Sequence, residues 1–341
     1  MKVLGIETSC DETSAAVVES GTRILSNVIA SQIDLFQKYG GVVPEVASRR
    51  HVELILPTIQ SALDDAGCLL DDIELIAVIN RPGLIGALIV GVSAAKAIAY
   101  ATGLPLVGIH HLEAHIYANF IDGTAGVKSA EPQFPLLCLI VSGGHSDIVW
   151  MTGHGEYELL ARTRDDAAGE AFDKAARAMG LGYPGGPIID KLSTDGDATA
   201  IPFPRAKFKD NLDFSFSGLK TAVIRYVQAH PETPIADIAA SFQQAVIDVL
   251  VENTFRAAEL KGAGRVLIAG GVAANSGLQK QMKERGAELG VEVSAPPPRL
   301  CTDNAAMAAA AGYFAYTRGI MSDLDLDTLA NEPLGIRLQE S

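Results

Sequence analysis

Two stretches of this sequence decide its fold: Val3-Leu4-Gly5-Ile6 with Ala15-Ala16-Val17-Val18, and Leu136-Leu137-Cys138-Leu139-Ile140-Val141 with Ile148-Val149-Trp150. Aliphatic and β-branched residues dominate both stretches, which is typical of buried strands, and a polar turn separates the two strands of each pair. We predict a β-hairpin at the start of the chain and a similar hairpin in its second half. This repetition indicates two similar domains.

Helical segments alternate with strands through the rest of the chain, which indicates an α/β fold. Further strands are predicted at residues 75–79 and 266–268, and helices at residues 51–66, 83–102, 277–289 and 304–316. The apolar run from Leu84 to Ala95 is shorter than the roughly 20 residues of a membrane span and predicts a buried helix. Three prolines at 296–298 interrupt the chain before the last helix, which we expect to pack on the first domain.

The composition is that of a globular protein with neither a membrane segment nor a secretory signal. The chain has 341 residues, of which 48% are hydrophobic and 20% are charged, enough to bury the cores of two domains. No signal peptide is expected, because a strand is predicted almost at the first residue. The four cysteines form no C-x-x-C pair, which fits reduced thiols in the cytoplasm.

The net charge of −14 argues against unaided binding of nucleic acid, because contacts with phosphates need a positive surface. Any such contact must be local or shared with a partner. The candidate basic residues are better explained as ordinary solvated faces than as a binding site, and they are Arg49, Arg50, Arg205, Lys207, Lys209, Lys220 and Arg225.

The segment His110-His111-Leu112-Glu113-Ala114-His115 contains two imidazoles four residues apart, at 111 and 115, in a stretch with helical character. On a helix these side chains share one face and can bind one metal ion if a third ligand comes from elsewhere. The alternative is a buried histidine pair that hydrogen-bonds to backbone carbonyls. The zinc-peptidase pattern H-E-x-x-H is not matched, so a helix-borne general base is missing.

Glycine-rich turns follow three of the predicted strands, at Gly5–Ser9, Ser142–Gly144 and Gly270–Gly271. Glycine lets backbone N–H groups approach phosphate oxygens closely, so three such turns indicate a nucleotide, although each alone is explained by a tight turn. Asn275 and Ser276 lie at a helix start, where they either cap the helix or contact a nucleoside or phosphate. Neither a P-loop nor a G-x-G-x-x-G motif is present.

Eight motifs occur in one order along the chain, at Gly5–Thr13, His110–His115, Val141–His145, Phe172–Lys174, Tyr183–Pro187, Phe214–Lys220, Gly270–Asn275 and Cys301–Asn304. By these motifs, over about residues 1 to 320, the chain resembles the bacterial TsaD family of tRNA threonylcarbamoyladenosine transferases, formerly called O-sialoglycoprotein endopeptidases. One departure is Arg81, where many members of the family are expected to have glycine. Arg81 lies beside a turn that is expected to face the binding cleft. The departure therefore concerns that wall of the cleft and not the resemblance to the family.

The resemblance implies an actin-like, sugar-kinase-like (ASKHA) fold of two ribonuclease-H-like domains with a cleft between them. The first domain is then residues 1–110 with about residues 305–325. Residues 111–304 form the second domain, which carries the metal and the nucleotide. The acidic, aperiodic residues 326–341 are predicted to be a surface tail, and the polar residues 122–131 a surface loop.

The resemblance also implies the site residues. His111 and His115 are expected to bind one divalent metal per subunit together with Asp303, which supplies the missing third ligand; Fe(II) is our first choice and Zn(II) the alternative. Residues expected to bind threonylcarbamoyl-AMP or an adenine nucleotide are Ile140, Val141, Ser142, Gly143, Gly144, Asp173, Gly186, Asp190 and Asn275. Without a role in ligand binding, Asp173 would be a surface charge on a helix, and Asp190 would be an N-cap or a solvated acid. The catalytic base is not identified, and Glu12 and His145 are hypotheses for it.

The activity implied is metal-dependent acyl transfer. The threonylcarbamoyl group would move from threonylcarbamoyl-AMP to the exocyclic N6 amine of the adenosine 3′ of the anticodon, in tRNAs that read codons beginning with adenine. Implied partners are tRNA, a TsaB-like paralogue, a TsaE-like ATPase and, functionally, the synthase of threonylcarbamoyl-AMP, with no membrane. The alternatives are a metal-dependent peptidase, a sugar kinase or actin-like ATPase, and a noncatalytic nucleotide-binding scaffold.

Overall fold

The computed structural model describes residues 1–121 and 133–335, so the surface loop predicted at residues 122–131 lies outside the described residues. The strands, in chain order, are β1 Lys2–Glu7, β2 Glu12–Glu19, β3 Arg23–Ser31, β4 Leu75–Arg81, β5 Leu106–His110, β6 Leu136–Val141, β7 Ser146–Gly153, β8 Glu156–Arg162, β9 Arg265–Ala269 and β10 Glu292–Ser294. The helices are α1 Ile33–Gln37, α2 Pro44–Asp65, α3 Ile85–Thr102, α4 His111–Tyr117, α5 Ala168–Ala178, α6 Gly185–Ser193, α7 Ser217–Ala229, α8 Ile235–Lys261, α9 Ser276–Leu289, α10 Pro298–Cys301 and α11 Ala305–Thr317.

The chain divides into two compact units. Unit 1 contains the described residues of Met1–Gln133 together with Thr302–Leu334, and unit 2 contains Phe134–Cys301 and Gly335. These limits differ from the predicted boundaries at 110/111 and 304/305. Helix α4 follows β5 without a break and packs against α11, which places residues 111–121 in unit 1. Residues 326–334 of the predicted tail also belong to unit 1, and residues 336–341 lie outside the described residues.

Each unit contains a five-stranded sheet of the same topology. The strand order is β3-β2-β1-β4-β5 in unit 1 and β8-β7-β6-β9-β10 in unit 2. In each sheet the first three strands are antiparallel, and the other two are added in parallel to the first strand of the hairpin. The predicted α/β fold with an internal repeat is therefore confirmed.

Helix α11 approaches the sheet of unit 1 closely, because small residues line the contact. A Cβ atom on Gly5 of β1 would overlap the carbonyl oxygen of Ala305, and one on Gly312 would overlap the Cβ of Ala77. The helix packs against β1 and β4. This close packing holds the start of α11, and the residues just before it, against the sheet.

Helix α3 has the length and hydropathy of a membrane span, but it packs in unit 1 against α2 and β4. Its residues Leu88, Val92 and Ala95 are buried in the hydrophobic core. The apolar run that predicted a buried helix is therefore one of the core helices of this unit.

Helix α2 starts at Pro44, whereas the apolar periodicity predicted a start at His51. Proline has no N–H to donate and its φ angle suits the first turn, so it favours a helix start. The sequence analysis assigned no helix to residues 235–261, where the 27-residue helix α8 lies in the core of unit 2 and is buried around most of its circumference between Ile238 and Leu250. Phe172 of α5 and Phe242 of α8 pack edge to face there, with ring centroids 5.2 Å apart.

The loops of the candidate sites follow the carboxyl ends of the parallel strands. In unit 1, the carboxyl ends of β1, β4 and β5 lie at one edge of the sheet, followed by residues 8–11, residues 82–84 and α4. In unit 2, the carboxyl ends of β6 and β9 are neighbours, followed by residues 142–145 and 270–275. Ligands in α/β proteins bind at such edges, so each unit presents one candidate site.

Candidate metal centre and ligand-binding loops

The histidine pair lies on α4 of unit 1, immediately after β5. His111 is 8% exposed and His115 is fully buried, and their ring centroids are 4.6 Å apart. The helix starts here because the imidazole Nδ1 of His110, the N-cap residue, accepts a hydrogen bond of 3.2 Å from the backbone N–H of Leu112. Both rings therefore project from one face of a capped helix.

Asp303 completes a cluster of three potential metal ligands. It directly precedes Asn304, the N-cap residue of α11, whose side chain accepts a hydrogen bond from Met307 N–H. Asp303 Oδ1 lies 3.1 Å from Nε2 of His115 and 3.6 Å from Nε2 of His111. One donor atom from each residue lies within 4.8 Å of the other two. The structure thus brings together all three residues proposed as metal ligands, within one unit.

Glu7 and Ser9 hold the ring of His111 from its other nitrogen. Nδ1 of His111 is 3.1 Å from Oε2 of Glu7 and 3.1 Å from the hydroxyl of Ser9. The Glu7 carboxylate is fully buried and also accepts a hydrogen bond from the backbone N–H of Ser9. When Nδ1–H donates to this carboxylate, Nε2 is free to bind a metal, so Glu7 sets the tautomer and the orientation of the ring.

The two histidines have opposite pKa shifts. Burial alone would lower the pKa of His111, but the carboxylates of Asp303 and Glu7 outweigh it and raise that pKa to about 9. Burial lowers the pKa of His115, and its hydrogen bond to Asp303 offsets this only in part. Nδ1 of His115 has no hydrogen-bond partner within residues 1–121 and 133–335. Its orientation therefore rests on packing and on Asp303.

Glu12, one of the two hypotheses for the base, lies at the start of β2 in unit 1. Burial, together with the carboxylates of Asp11 and Asp303, raises the pKa of Glu12 far above its usual range. Its Oε1 accepts a hydrogen bond of 3.2 Å from the hydroxyl of Ser31. A cation beside Asp303 would shift the pKa of this carboxyl group back toward lower values.

In unit 2, the loop from Ser142 to His145 forms a tight turn after β6. Ser142 N–H donates to the carbonyl of His145 (2.9 Å), and His145 N–H donates to the Ser142 hydroxyl (3.2 Å). Gly143 and Gly144 are exposed, with open space where a Cβ would be. A Cβ on Gly169, at the start of α5, would overlap the Ser142 carbonyl. Gly169 thus lets α5 approach the loop, and its role was missed because it belongs to none of the eight motifs.

The second glycine-rich loop lies beside the first. Gly270 has a φ of 89°, a conformation that favours glycine, and a Cβ there would overlap the carbonyl oxygen of Val141. Ile140 pairs with Ala269 in the adjacent strand. The predicted ligand residues Ile140–Gly144 therefore lie next to the loop that leads to Asn275.

The side chains of Asn275 and Asp190 form hydrogen bonds at the start of α9. Such structural roles were the alternatives to ligand binding for these two residues. Asn275 Oδ1 accepts the N-cap hydrogen bond of α9 from Leu278 N–H (2.9 Å), and its Nδ2 donates to Gln243 (2.7 Å). Asp190 accepts hydrogen bonds from the backbone N–H and the hydroxyl of Ser276, at 3.0 and 2.9 Å. Both residues shape the start of α9, which is the position for an anion or a nucleoside.

Asp173 lies in α5 and contacts the start of α6, where Gly186 lies. Asp173 Oδ1 accepts a hydrogen bond of 2.7 Å from Gly185 N–H, so this residue is more than a surface charge. A Cβ on Gly185 would overlap Ala176 and the Phe172 carbonyl, whereas Gly186 faces open space.

A groove of about 600 Å³ is lined by Asp190, Ser276 and Gly277, among others. A larger groove of about 840 Å³, along α8 and α9, contains none of the predicted ligand residues.

Several of the candidate basic residues are neutralised by carboxylates. The pairs are Arg50 with Glu53, Arg205 with Asp248, Lys207 with Glu252, and Lys220 with Asp166. These contacts favour the interpretation of ordinary charged faces for these four residues.

Three contributors to the metal centre escaped the sequence analysis. Glu7 lies in a quoted motif but is 104 positions from His111, and nothing in the spacing links them. His110 belongs to the histidine doublet, where the pattern does not distinguish a cap from a ligand. Glu332 contacts Nε2 of His110 through its backbone carbonyl (3.0 Å), and a backbone contact leaves no signature in a sequence.

Similar solved structures show the fold. HypF from T. kodakarensis is 14% identical, with a TM-score of 0.61 over 93% of this chain and 48% of that chain. Component A of the (R)-2-hydroxyglutaryl-CoA dehydratase of Acidaminococcus fermentans is 17% identical, with a TM-score of 0.53 over 92% of this chain and 98% of that chain. Both have the actin-like ATPase fold that the resemblance implied.

Relatives of known name are far more similar in sequence. Proteins named tRNA N6-adenosine threonylcarbamoyltransferase are 57% identical in Symbiobacterium thermophilum, over 98% of this chain and 97% of theirs, and 54% identical in Clostridium botulinum, over 99% of both. A third, from Dehalococcoides mccartyi, is 56% identical over 96% of this chain and 98% of its own. The family model described as "TsaD: tRNA N6-adenosine threonylcarbamoyltransferase" matches residues 23–310. The chain therefore belongs to the TsaD family.

Proposed function

We propose that this protein is an acyltransferase that moves the threonylcarbamoyl group from threonylcarbamoyl-AMP to the N6 amine of an adenosine in tRNA. The acceptor is the adenosine 3′ of the anticodon in tRNAs that read codons beginning with adenine. The observation that carries this proposal is identity of 54–57% to transferases of this name over nearly the whole chain. The convergence of two histidines and an aspartate in unit 1 supports a metal-dependent form of the reaction.

We infer that His111, His115 and Asp303 hold one divalent cation per chain. Two imidazole nitrogens and one carboxylate, leaving further positions open, suit Fe(II), our first choice, and also Zn(II). The bound cation would supply Lewis-acid polarisation of a carbonyl or anchor the oxygens of the acyl group. The hydrogen bond from Nδ1–H to Glu7 orients the ring with Nε2 toward Asp303, and a cation bound there would displace the proton that the raised pKa of His111 favours on Nε2.

In the transfer step, the N6 nitrogen attacks the carbonyl carbon of the threonylcarbamoyl group. The bond between that carbon and the phosphate oxygen breaks, AMP leaves, and the N6 proton passes to a base. Backbone N–H groups of residues 142–144 are suited to bind the leaving phosphate or the developing negative oxygen, and such a donor contributes about 3 kcal/mol in other enzymes. Glu12 and His145 are the proposed proton acceptors.

The adenylate is proposed to bind in unit 2. Ile140–Gly144 would hold the phosphate and acyl part, and Asp173, Gly186, Asp190 and Asn275 the adenosine part. Support comes from their position: they surround the glycine-rich loops at the carboxyl ends of β6 and β9 and the starts of α6 and α9. Because the side chains of Asp190 and Asn275 hydrogen-bond within the protein, we expect them to act mainly by fixing these backbone segments.

We further propose that the protein acts in the cytoplasm with a TsaB-like paralogue and a TsaE-like ATPase, and receives its substrate from a threonylcarbamoyl-AMP synthase. A net charge of −14 makes a shared tRNA-binding surface necessary in this proposal. Peptidase, kinase and scaffold functions are not favoured. The helix-borne glutamate of H-E-x-x-H peptidases is missing, and neither a kinase nor a scaffold needs the histidine pair.

Mass spectrometry of tRNA nucleosides tests the proposal. Bacteria depleted of their own transferase receive the gene for this chain, its His111→Ala form, or a His230→Ala control that removes an exposed histidine. We expect threonylcarbamoyladenosine to return with the unmodified and control genes and not with His111→Ala. Failure of the unmodified chain to restore it, when it still binds the host's partner proteins, would contradict the proposed activity.

A further inference from the structure

We propose that His110 is a positioning residue that couples the carboxy-terminal segment to the helix of the metal centre. The inference rests on the proposed metal ligands His111 and His115, and it concerns residues to which no role has been assigned. The carboxy-terminal segment, residues 320–334, is named here the C-terminal strap. Two hydrogen bonds of the His110 ring connect this strap to the metal-binding helix: one to the backbone carbonyl of Glu332 and one to the first turn of α4.

The His110 ring hydrogen-bonds to the backbone at Glu332 and at Leu112. Only one tautomer of the ring satisfies both hydrogen bonds. It is 4% exposed. Nε2 is 3.0 Å from the carbonyl oxygen of Glu332, which can only accept, so Nε2 carries the hydrogen. Nδ1 accepts from the N–H of Leu112 at 3.2 Å, so it carries none. The neutral Nε2–H tautomer therefore bridges strap and helix.

Ahead of this bridge, hydrogen bonds fasten the strap to the rest of unit 1. Its hydrogen bonds are Ser322 N–H to Leu106 O (2.8 Å), Gly108 N–H to Ser322 Oγ (3.0 Å), Asn80 Nδ2 to Asp327 O (2.8 Å), Leu329 N–H to Asn80 O (3.1 Å) and Gly83 N–H to Ala330 O (3.2 Å). Beyond the bridge, Leu334 is 5% exposed. The carbonyl of Glu332 is thus a fixed anchor and not part of a free tail.

Arg81 holds the side chain of the same anchor residue. Its guanidinium forms an ion pair with Glu332 and donates a hydrogen bond of 2.8 Å to Oδ1 of Asn80. Both Arg81 and Glu332 are about one-third exposed, at 31% and 38% of their side chains. The residue that departs from the family pattern therefore has a role in this chain: it restrains Glu332, whose carbonyl binds His110.

The metal centre needs such an anchor because α4 has only seven residues. An isolated helix of this length is unstable in water, so its ring positions depend on its attachments. Metal ligands must be held to within about half an ångström, and loss of an outer hydrogen bond typically weakens metal binding about 10- to 100-fold. By reciprocity, metal binding should in turn make opening of the strap less favourable.

Two substitutions separate the bridge from the cap. His110→Asn keeps a good N-cap residue, whose short side chain can accept from Leu112 N–H but cannot reach Glu332. His110→Ala removes both contacts. Arg81→Ala leaves the ring in place and releases the side chain of its anchor. Arg265→Ala, which breaks a comparable exposed ion pair with Glu292 in unit 2, is the matched control.

Titration of the metal-free protein with Co(II), followed by its absorption bands, measures affinity and ligand geometry together. We expect His110→Asn to bind Co(II) about 10- to 100-fold more weakly, with altered bands, and Arg81→Ala to show a smaller loss in the same direction. Hydrogen exchange of α4 amides in the metal-free state should accelerate in both variants and stay unchanged in Arg265→Ala.

The two hypotheses fail in different ways. If the unmodified chain does not bind Co(II), or His115→Ala binds it equally well, the metal centre is refuted and the coupling with it. If the unmodified chain binds Co(II), His115→Ala does not, and His110→Asn matches the unmodified chain in affinity, bands and exchange, the metal centre stands and the coupling is refuted.

Discussion

At the scale of single residues, the proposed metal centre contains a buried hydrogen bond between Glu7 and His111. Glu7→Gln keeps the size of the side chain but removes its charge, so Nδ1–H of His111 loses a strong acceptor. We expect the affinity for Zn(II) or Co(II) to fall about 10- to 100-fold, measured by calorimetric titration of the metal-free protein. Glu19→Gln, on β2 of the same sheet, is the control. Equal affinity of Glu7→Gln and the unmodified protein would contradict this orienting role.

The buried carboxyl group of Asp147 leads to a prediction about how the stability of the protein depends on pH. Burial raises the pKa of Asp147 to about 6, with Arg162 opposing and Asp213 adding to the shift. Because this folded-state pKa exceeds the unfolded value of about 3.9, the native state disfavours the ionised form, and stability falls as the pH rises from about 4 to 6. Asp147→Asn should therefore increase the free energy of unfolding at pH 7 by about 1 to 3 kcal/mol and have little effect at pH 4.

Urea unfolding at both pH values measures this difference. The exposed Asp210→Asn serves as the control, because it changes the charge equally without relieving burial. A variant that is less stable than the unmodified protein at pH 7 would show that the carboxylate has a stabilising partner.

Single residues of the metal centre were predictable to different degrees. His111 and His115 follow from helical spacing, since neighbours on a helix face are four positions apart. Asp303 came only through the family resemblance, because 188 positions separate it from His115. Glu7 and His110 act through hydrogen bonds that neither periodicity nor spacing encodes.

At the scale of elements, the contact between β1 and α11 depends on the missing side chain of Gly5. Gly5→Ala would place a Cβ against the backbone of Ala305, which cannot rotate away. We expect a loss of stability of roughly 3 kcal/mol, the upper end of typical overpacking costs, with weaker metal binding because Asp303 precedes this helix. Urea unfolding and Co(II) titration test both effects.

The matched control is Gly264→Ala, where no heavy atom lies within 4 Å of the new Cβ. Its stability should stay within about 0.5 kcal/mol of the unmodified protein. Equal stability of the two variants would mean that α11 can move away from the sheet without cost.

Two predicted helices agree closely with the structure, whereas the bounds of the amphipathic helix α5 and two edge strands were not predicted. The predicted helix at 83–102 corresponds to Ile85–Thr102, and the one at 277–289 to Ser276–Leu289. Strands β3 and β8 lie at sheet edges, are only partly buried, and were not predicted. Edge strands bury one face at most, so their sequences carry a weaker hydrophobic signal.

At the scale of the whole molecule, the repeated sheet was predictable and the course of the C-terminal segment was not. Two hairpins of similar sequence character indicated two domains because each hairpin must bury one face against its own core. The acidic, aperiodic residues 326–341 predicted a surface tail, and the structure places the first of them, residues 326–334, in unit 1. They are instead fastened by backbone hydrogen bonds and by Asn80, interactions that depend on the fold and not on the local sequence.

Charge leads to a prediction for the whole molecule. With a net charge of −14 and with Arg205 and Lys207 neutralised by Asp248 and Glu252, the chain alone should bind tRNA only weakly, with a Kd of about 10⁻⁴ to 10⁻⁶ M at physiological salt. The double variant Asp248→Asn with Glu252→Gln unmasks both cations. It should bind labelled tRNA more tightly and with a steeper salt dependence, by roughly 0.7 to 0.9 in logarithmic slope for each new phosphate contact.

Fluorescence anisotropy with labelled tRNA at low and physiological salt separates this local effect from overall charge. The control, Asp71→Asn with Asp325→Asn, changes the net charge equally at exposed carboxylates elsewhere in the sequence. If the cations are local tRNA contacts, only the first pair steepens the salt dependence, because counterion release counts the phosphates that are touched and not the distant charges. Equal slopes in both double variants would exclude this face, and the positive surface that an acidic transferase needs for its tRNA would then have to come from the proposed partner proteins.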